Sequence, residues 1–183
     1  EAIGTLMLSV NSYYTNAMEG NPSKLKDIEN ALNNKFLPIG NLRNYQREHL
    51  AHISTQKRML ERLKNETNLD ICSSDFLCWL HSEFYSKLPK EMHFALTHDG
   101  SKVSVMPGEL RDRPADVGRH LPPETLNQVK SNLQSFQRSY TPETVEPAKK
   151  FLAFASFHKK ASSWIIDLLR DLQCQSCYSQ YVD

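Results

Sequence analysis

The residues able to do chemistry fall into two groups. Near the end of the chain stand Cys174 and Cys177 as a Cys-x-x-Cys pair, with His158 a titratable imidazole and Arg170 a cation able to hold an anion. A redox Cys-x-x-Cys needs a strand before it and a helix opening at its first Cys, so that the helix dipole lowers the thiol pKa. A zinc site needs two more ligands, and the Cys72/Cys78 spacing is not that of a zinc knuckle. Neither context surrounds Cys174, so the pair reads as coincidence and no metal ligand set is expected. The second group is the basic series Arg43, Arg47, Lys57, Arg58, Arg62 and Lys64. It could face phosphates, but Glu48, Glu61 and Glu66 interrupt it, and a solvated helix surface is the expectation.

Those residues need elements to position them, and the sequence supplies nearly all helix. With 183 residues, 39% hydrophobic and 23% charged, the chain can bury one domain-sized core. Mean hydropathy is −0.55 and no apolar run reaches the roughly 20 residues of a membrane span. The net charge of +1 sets up no field for nucleic acid or an acidic membrane, and neither is an expected partner. Four cysteines without an export signal point to reduced thiols and a cytoplasmic location. A start at Glu1 without an initiator Met reads as a fragment or a trimmed chain.

Residues 2–18 place Ile3, Leu6, Met7, Val10, Tyr13, Tyr14 and Met18 close to helical spacing, and Gly20-Asn21-Pro22 ends that helix. Ser23 is suited to cap a short helix to about Asn33, with Leu25, Ile28, Ala31 and Leu32 on one face. Residues 41–64 carry Leu42, Tyr45, His49, Ile53, Leu60 and Leu63 along one stripe. Ser73 or Ser74 caps a fourth helix, whose Phe76, Leu77, Leu80 and Phe84 pack inward. The period then changes. Segments 93–98 and 102–105 flank Asp99-Gly100, which predicts a hairpin with a two-residue type I′ turn. A helix with Leu126, Val129, Leu133, Phe136 and Tyr140 follows Pro122-Pro123. The last helix starts between Thr141 and Pro147 and runs to about Leu172.

Three stretches, in order, resemble the Fic family of protein adenylyltransferases. Thr15-Asn16-Ala17-Met18-Glu19-Gly20 fits that family's inhibitory helix, Ser/Thr-x-x-x-Glu-Gly/Asn. Between Cys72 and Pro123, Phe76-Leu77-Cys78-Trp79-Leu80-His81, Pro107-Gly108-Glu109-Leu110-Arg111 and Val117-Gly118-Arg119-His120-Leu121-Pro122-Pro123 are similar to the segment that holds the family's flap hairpin. Phe151 to Ile165 looks like the helix that leads into the catalytic loop. The family loop, His-x-Phe-x-Asp/Glu-Gly-Asn-Gly/Lys-Arg-x-x-Arg, is then missing: from Ile166 to the end there is no His, no Gly and no Asn.

The resemblance implies a mostly α, Fic-like helical domain with one β-hairpin and without the C-terminal part of its core. Its parts would be an inhibitory region at 1–40, a core at 41–165 with the flap at about 93–111, and a divergent tail at 166–183. Thr15, Glu19 and Gly20 would be regulatory, Glu19 by pairing with an arginine that otherwise holds the ATP γ-phosphate. Val103, Ser104, Val105 and Met106 would pair with a segment of a target protein. The family moves AMP from ATP, with Mg, onto protein hydroxyls. Here the general base, the magnesium carboxylate and the phosphate nest have no replacement at the matching positions, and His158, as a substitute base, lies about two turns too early. The expected chain is therefore an inactive relative, with a non-catalytic protein-binding module as the alternative. Codons allowed for Gln173–Tyr178 give Asn-Val-Arg-Val-Val-Thr one base later, which reads as a frameshifted loop. A 151–172 helix without family neighbours predicts low solubility or a homodimer.

Overall fold

The computed structural model describes residues 2–18, 21–38, 40–96, 100–112 and 125–140. They form five helices and a small sheet: α1 (Ala2–Met18), α2 (Leu25–Leu32), α3 (Asn41–Asn65), α4 (Ser74–Tyr85), a 3₁₀ turn (Lys90–Met92), β1 (Phe94–Leu96), β2 (Lys102–Ser104) and α5 (Leu126–Tyr140). The fold is mostly helical with one two-stranded antiparallel sheet.

Helix α3 is the axis of the molecule, contacted by α1, α2 and α4, while α5 packs on α4. Its burial runs from Tyr45 to Gln56, with Gln46, His49, Ala51, Ile53 and Thr55 also inside. Its apolar ends stay exposed, Leu42 at 50%, Leu60 at 43% and Leu63 at 42%. The polar Gln46 is fully buried and replaces apolar contact with hydrogen bonds. Its Nε2 donates to Asp27 O (2.9 Å), and its Oε1 accepts from Leu37 N (2.8 Å). One side chain thus fixes both α2 and the following loop onto α3.

The caps follow local chemistry. Ser73 is the N-cap of α4, its Oγ accepting from Phe76 N at 3.1 Å. At α2 the cap position is Lys24 rather than Ser23, because Asp27 Oδ2 reaches back to Lys24 N (2.8 Å) while buried Ser23 N donates to Asn21 Oδ1. The α2 face divides as well: Ile28 and Ala31 are buried, while Leu25 and Leu32 remain exposed. Thr125 and Gln128 exchange two hydrogen bonds at the start of α5, a capping box.

The hairpin departs from the expected turn. The pairs are Phe94↔Ser104, Ala95↔Val103 and Leu96↔Lys102. A two-residue Asp99-Gly100 turn would pair Leu96 with Val103, one position away. The observed register needs an odd number of linking residues, and Gly100 takes a φ of +79° within the link. The reason is burial. A one-residue slip would turn every β2 side chain to the opposite face, and this register directs Val105 into the core with Ala95 packed beside it.

Helix α1 departs further. Its apolar stripe faces away from α3: Leu6, Met7 and Tyr14 are 62%, 59% and 63% exposed, while Ser12 is fully buried. The expected helix is present with its apolar and polar sides exchanged.

Candidate functional site

The hairpin reaches its position through α4. Phe84, Tyr85 and Leu88 of α4 and its C-terminal turn join Ala51 of α3 and Val105 in one buried cluster, with Met92 and Ala95 packed against it. Tyr85 is fully buried and lies between two imidazoles, with edge-on ring contacts to His81 at 4.6 Å and His93 at 5.3 Å. His93 Nε2 donates to the carbonyls of Tyr85 (2.9 Å) and Leu88 (3.1 Å), tying the strand entry to the helix end.

The strand exit is fixed by a second histidine. Glu109 N donates to Met106 O at 3.1 Å, closing a turn with Pro107 and Gly108 at its centre. Gly108 has a φ of +83°. That is a type II turn, which requires glycine at its third position. Gly108 N donates to His81 Nδ1 at 2.8 Å, so the neutral ring carries its proton on Nε2. A side chain at Gly108 would lie 3.1 Å from Ser82 Cβ and 3.2 Å from Cys78 O, so the turn rests directly on α4. Burial pulls His81 down to about 4, with the nearby His93 lowering it further. His81 Nε2 is buried without a hydrogen-bond partner among the described residues.

With both ends anchored, the hairpin has a core face and an open face. Val105 is 7% exposed, and its N–H donates to His93 O at 3.0 Å. Val103 is half-buried on the same face as Val105. The opposite face carries Phe94, Lys102 and Ser104, and Lys102 Nζ sits 4.4 Å from the Phe94 ring centroid. Met106 is 57% exposed beyond the strand. The sheet order is β1-β2, so each strand has one ladder partner among the described residues. In an antiparallel ladder the pairs alternate between bonded and non-bonded. His93–Val105 is a bonded pair, and the main-chain groups of Lys102 therefore face the outer edge of β2.

Val103, Ser104, Val105 and Met106, the residues expected to pair with a target segment, lie together on β2 and its exit. Thr15 is apart from them, half-buried on α1, the helix that packs on α2 and α3. Glu19 and Gly20 lie outside the described residues, as do Cys174, Cys177, His158, Arg170 and everything beyond Tyr140. Burial pushes the Cys72 thiol up to about 11, with Asp70 adding to the rise, and Cys78 upward as well. Neither is primed as a nucleophile. Among the described residues, no three His, Cys, Asp or Glu side chains are grouped to hold a metal ion.

Sequence reasoning misses two arrangements. Three of the basic side chains of α3 are spent on carboxylates: Arg47 pairs with Glu91 (3.2 Å), Arg58 with Glu61 (2.7 Å), and Arg62 with Glu66 (2.7 Å). Arg62 also lies 4.3 Å above the Trp79 ring, on the wall of a groove of about 470 Å³ that Glu66, Asp70 and Asp75 line with it. The other is the α1–α3 seam. Ser12 Oγ shares a hydrogen bond of 2.9 Å with His49 Nδ1 and also accepts from Asn16 Nδ2 (3.4 Å). Asn11 Nδ2 donates to Gln56 Oε1 (2.8 Å), and Gln56 Nε2 to His52 Nδ1 (3.2 Å). Burial lowers His49 to about 4 against the opposing pull of Asp27, and lowers His52 similarly. The sequence signals for both are i,i+4 spacings, Arg62 with Glu66 and His52 with Gln56, which mark neighbours on one helix but not their role.

Set against known proteins, the chain matches no family model, no curated protein and no solved structure. No helix among the described residues is long and apolar enough to cross a membrane.

Proposed function

We propose that this chain is a Fic-type domain that captures an extended segment of a target protein on its hairpin and transfers no AMP. The single observation behind the reading is the hairpin itself, a two-stranded antiparallel sheet anchored at entry and exit to α4. Strand addition draws its affinity from main-chain hydrogen bonds and so tolerates many target sequences. A rigid edge loses little entropy on pairing, and the two histidine anchors supply that rigidity. The reading that no AMP is transferred rests on residues 166–183, which have no histidine for the family's general-base position, no Gly or Asn for a phosphate nest, and only one arginine, Arg170. Arg62, on the groove wall over Trp79, has its fork taken by Glu66. Neither the composition of residues 166–183 nor any group of His, Cys, Asp or Glu among the described residues fits ATP with Mg.

The test separates edge pairing from hairpin integrity. Val105→Pro would be a poor probe, because Val105 N–H bonds within the hairpin. Lys102→Pro removes a donor that faces outward. A peptide selected from a displayed library on the intact chain should bind roughly fivefold more weakly to Lys102→Pro, from one lost hydrogen bond of about 1 kcal/mol. The thermal melt should be unchanged. Undiminished binding would overturn strand addition at β2. Incubation with labelled ATP, Mg²⁺ and a lysate should leave no labelled protein, with or without Glu19→Gly. Label transfer would overturn the inactive reading.

A further inference from the structure

Helix α1 is built against the usual rule. A surface helix turns its apolar stripe to the core and its polar side to water. Here the side turned to α3 carries Asn11, bonded to Gln56, and fully buried Ser12, bonded to His49, with Asn16 donating to Ser12. The outward side carries Leu6, Met7 and Tyr14, the three most exposed large hydrophobic residues among those described. With half-buried Val10 they fall at i, i+1, i+4 and i+8, a continuous stripe down the helix. Turning the helix to bury that stripe would strand the amide and hydroxyl groups of the seam, so the inversion is held in place.

The composition of α1 indicates what covers the stripe. Ala2–Met18 contains no Asp, Glu, Lys or Arg, although charged residues make up 23% of the chain. A surface that carries no charge cannot repel its own copy, and the net charge of +1 adds almost nothing at longer range. An acidic or basic partner would find no complementary charge there. Met and Tyr are also types enriched where proteins meet. From these observations we propose that the outer face of α1 is a self-association surface, and that two copies of the chain pair through Leu6, Met7, Val10 and Tyr14.

A twofold pair places the same residues on both sides. Antiparallel helices bring Val10 onto Val10 of the second copy and Leu6 onto Tyr14 of the second copy, since both pairs share one midpoint. The opposed helix dipoles also favour that direction. The helix is about 25 Å long. Its strip is smaller than the roughly 800 Å² per partner of a standard interface, so the pair forms and dissociates with concentration. This surface is separate from the hairpin, and the proposal does not depend on the binding function assigned there.

Sedimentation equilibrium on the full chain, from about 1 to about 200 μM, reads the association directly. The weight-average mass should rise from 21.1 kDa toward twice that value. Met7→Glu combined with Tyr14→Glu should hold it at the monomer value, with an unchanged far-ultraviolet spectrum. Val10→Cys, which leaves the exposed side chains intact, should on mild oxidation give a disulfide joining position 10 of one copy to position 10 of the other. Peptide mass spectrometry identifies that link. A mass constant at 21.1 kDa, a rise that survives the double substitution, or oxidised Val10→Cys without that link would each overturn the proposal. So would a monomer whose Leu6, Met7 and Tyr14 are protected from carbene footprinting, because another part of the chain would then occupy the stripe.

Discussion

The contact between α1 and α3 buries hydroxyl, amide and imidazole groups, whereas the contact between α4 and the hairpin buries Phe84, Tyr85, Leu88 and Val105. The two regions resist different insults. Apolar burial is non-directional and is felt as volume, so the α4 side tolerates small shifts but not cavities. A hydrogen-bonded seam is directional, gains only about 1 kcal/mol net per bond, and costs more when one partner is lost. The α1 side therefore contributes specificity of position more than stability. Three predictions pull the regions apart.

The largest effect should come from the apolar side. Tyr85 is fully buried against Phe84, His81 and His93. Tyr85→Ala should cost about 3–5 kcal/mol in urea unfolding, from lost transfer energy plus a cavity. It should also free the hairpin, since both histidine anchors lean on that ring. A loss below about 1 kcal/mol would mean that the cluster is not the core of the molecule.

Acid should attack next, and it reaches both regions through their histidines. His49 and His81 each fall from 6.5 to about 4 in the folded chain, mainly through burial. A depressed imidazole means that the unfolded chain takes up the proton first. Stability is then complete above about pH 6.5 and falls as the pH drops toward 4, where the folded rings also charge. By about pH 5 the loss should approach about 2 kcal/mol for each ring. His49→Gln should flatten the fall of stability with pH by one proton, and Gln also keeps a polar group for Ser12. An equally steep profile in that variant would remove His49 from the explanation.

How far these regions can be read from sequence differs in the same way. The apolar side is legible. Helical spacing turns Phe76, Leu77, Leu80 and Phe84 of α4 inward and puts Val129 and Leu133 on the α5 stripe, and all six are buried. Ser73 is one of two expected caps and is the cap observed. The polar seam is not legible, because hydrophobic spacing locates a helix without saying which side another chain segment will satisfy. Ser12 and His49 stand 37 positions apart, and nothing local to either predicts their bond. The hairpin is legible as a hairpin, yet its register is set by burial of Val105 and not by the Asp99-Gly100 signal. His81 lies inside a motif of the family resemblance, but its use as the acceptor for Gly108 N depends on a turn 27 residues away.

That turn carries the smallest and most local prediction. Gly108 holds a φ of +83°, which side-chain-bearing residues rarely adopt, and an added methyl would press on Ser82 and the Cys78 carbonyl. Neither neighbour is a flexible chain end, since one is a helix backbone atom and the other a Cβ. Gly108→Ala should cost about 1–3 kcal/mol, combining backbone strain with the shift needed to relieve the contact. Because the turn leads out of β2, hydrogen exchange should quicken first at Glu109 N and Val105 N, while the α1–α3 seam keeps its protection. Equal loss of protection at α1 would show that the two regions open together, and the contrast between them would then describe composition and not independent behaviour.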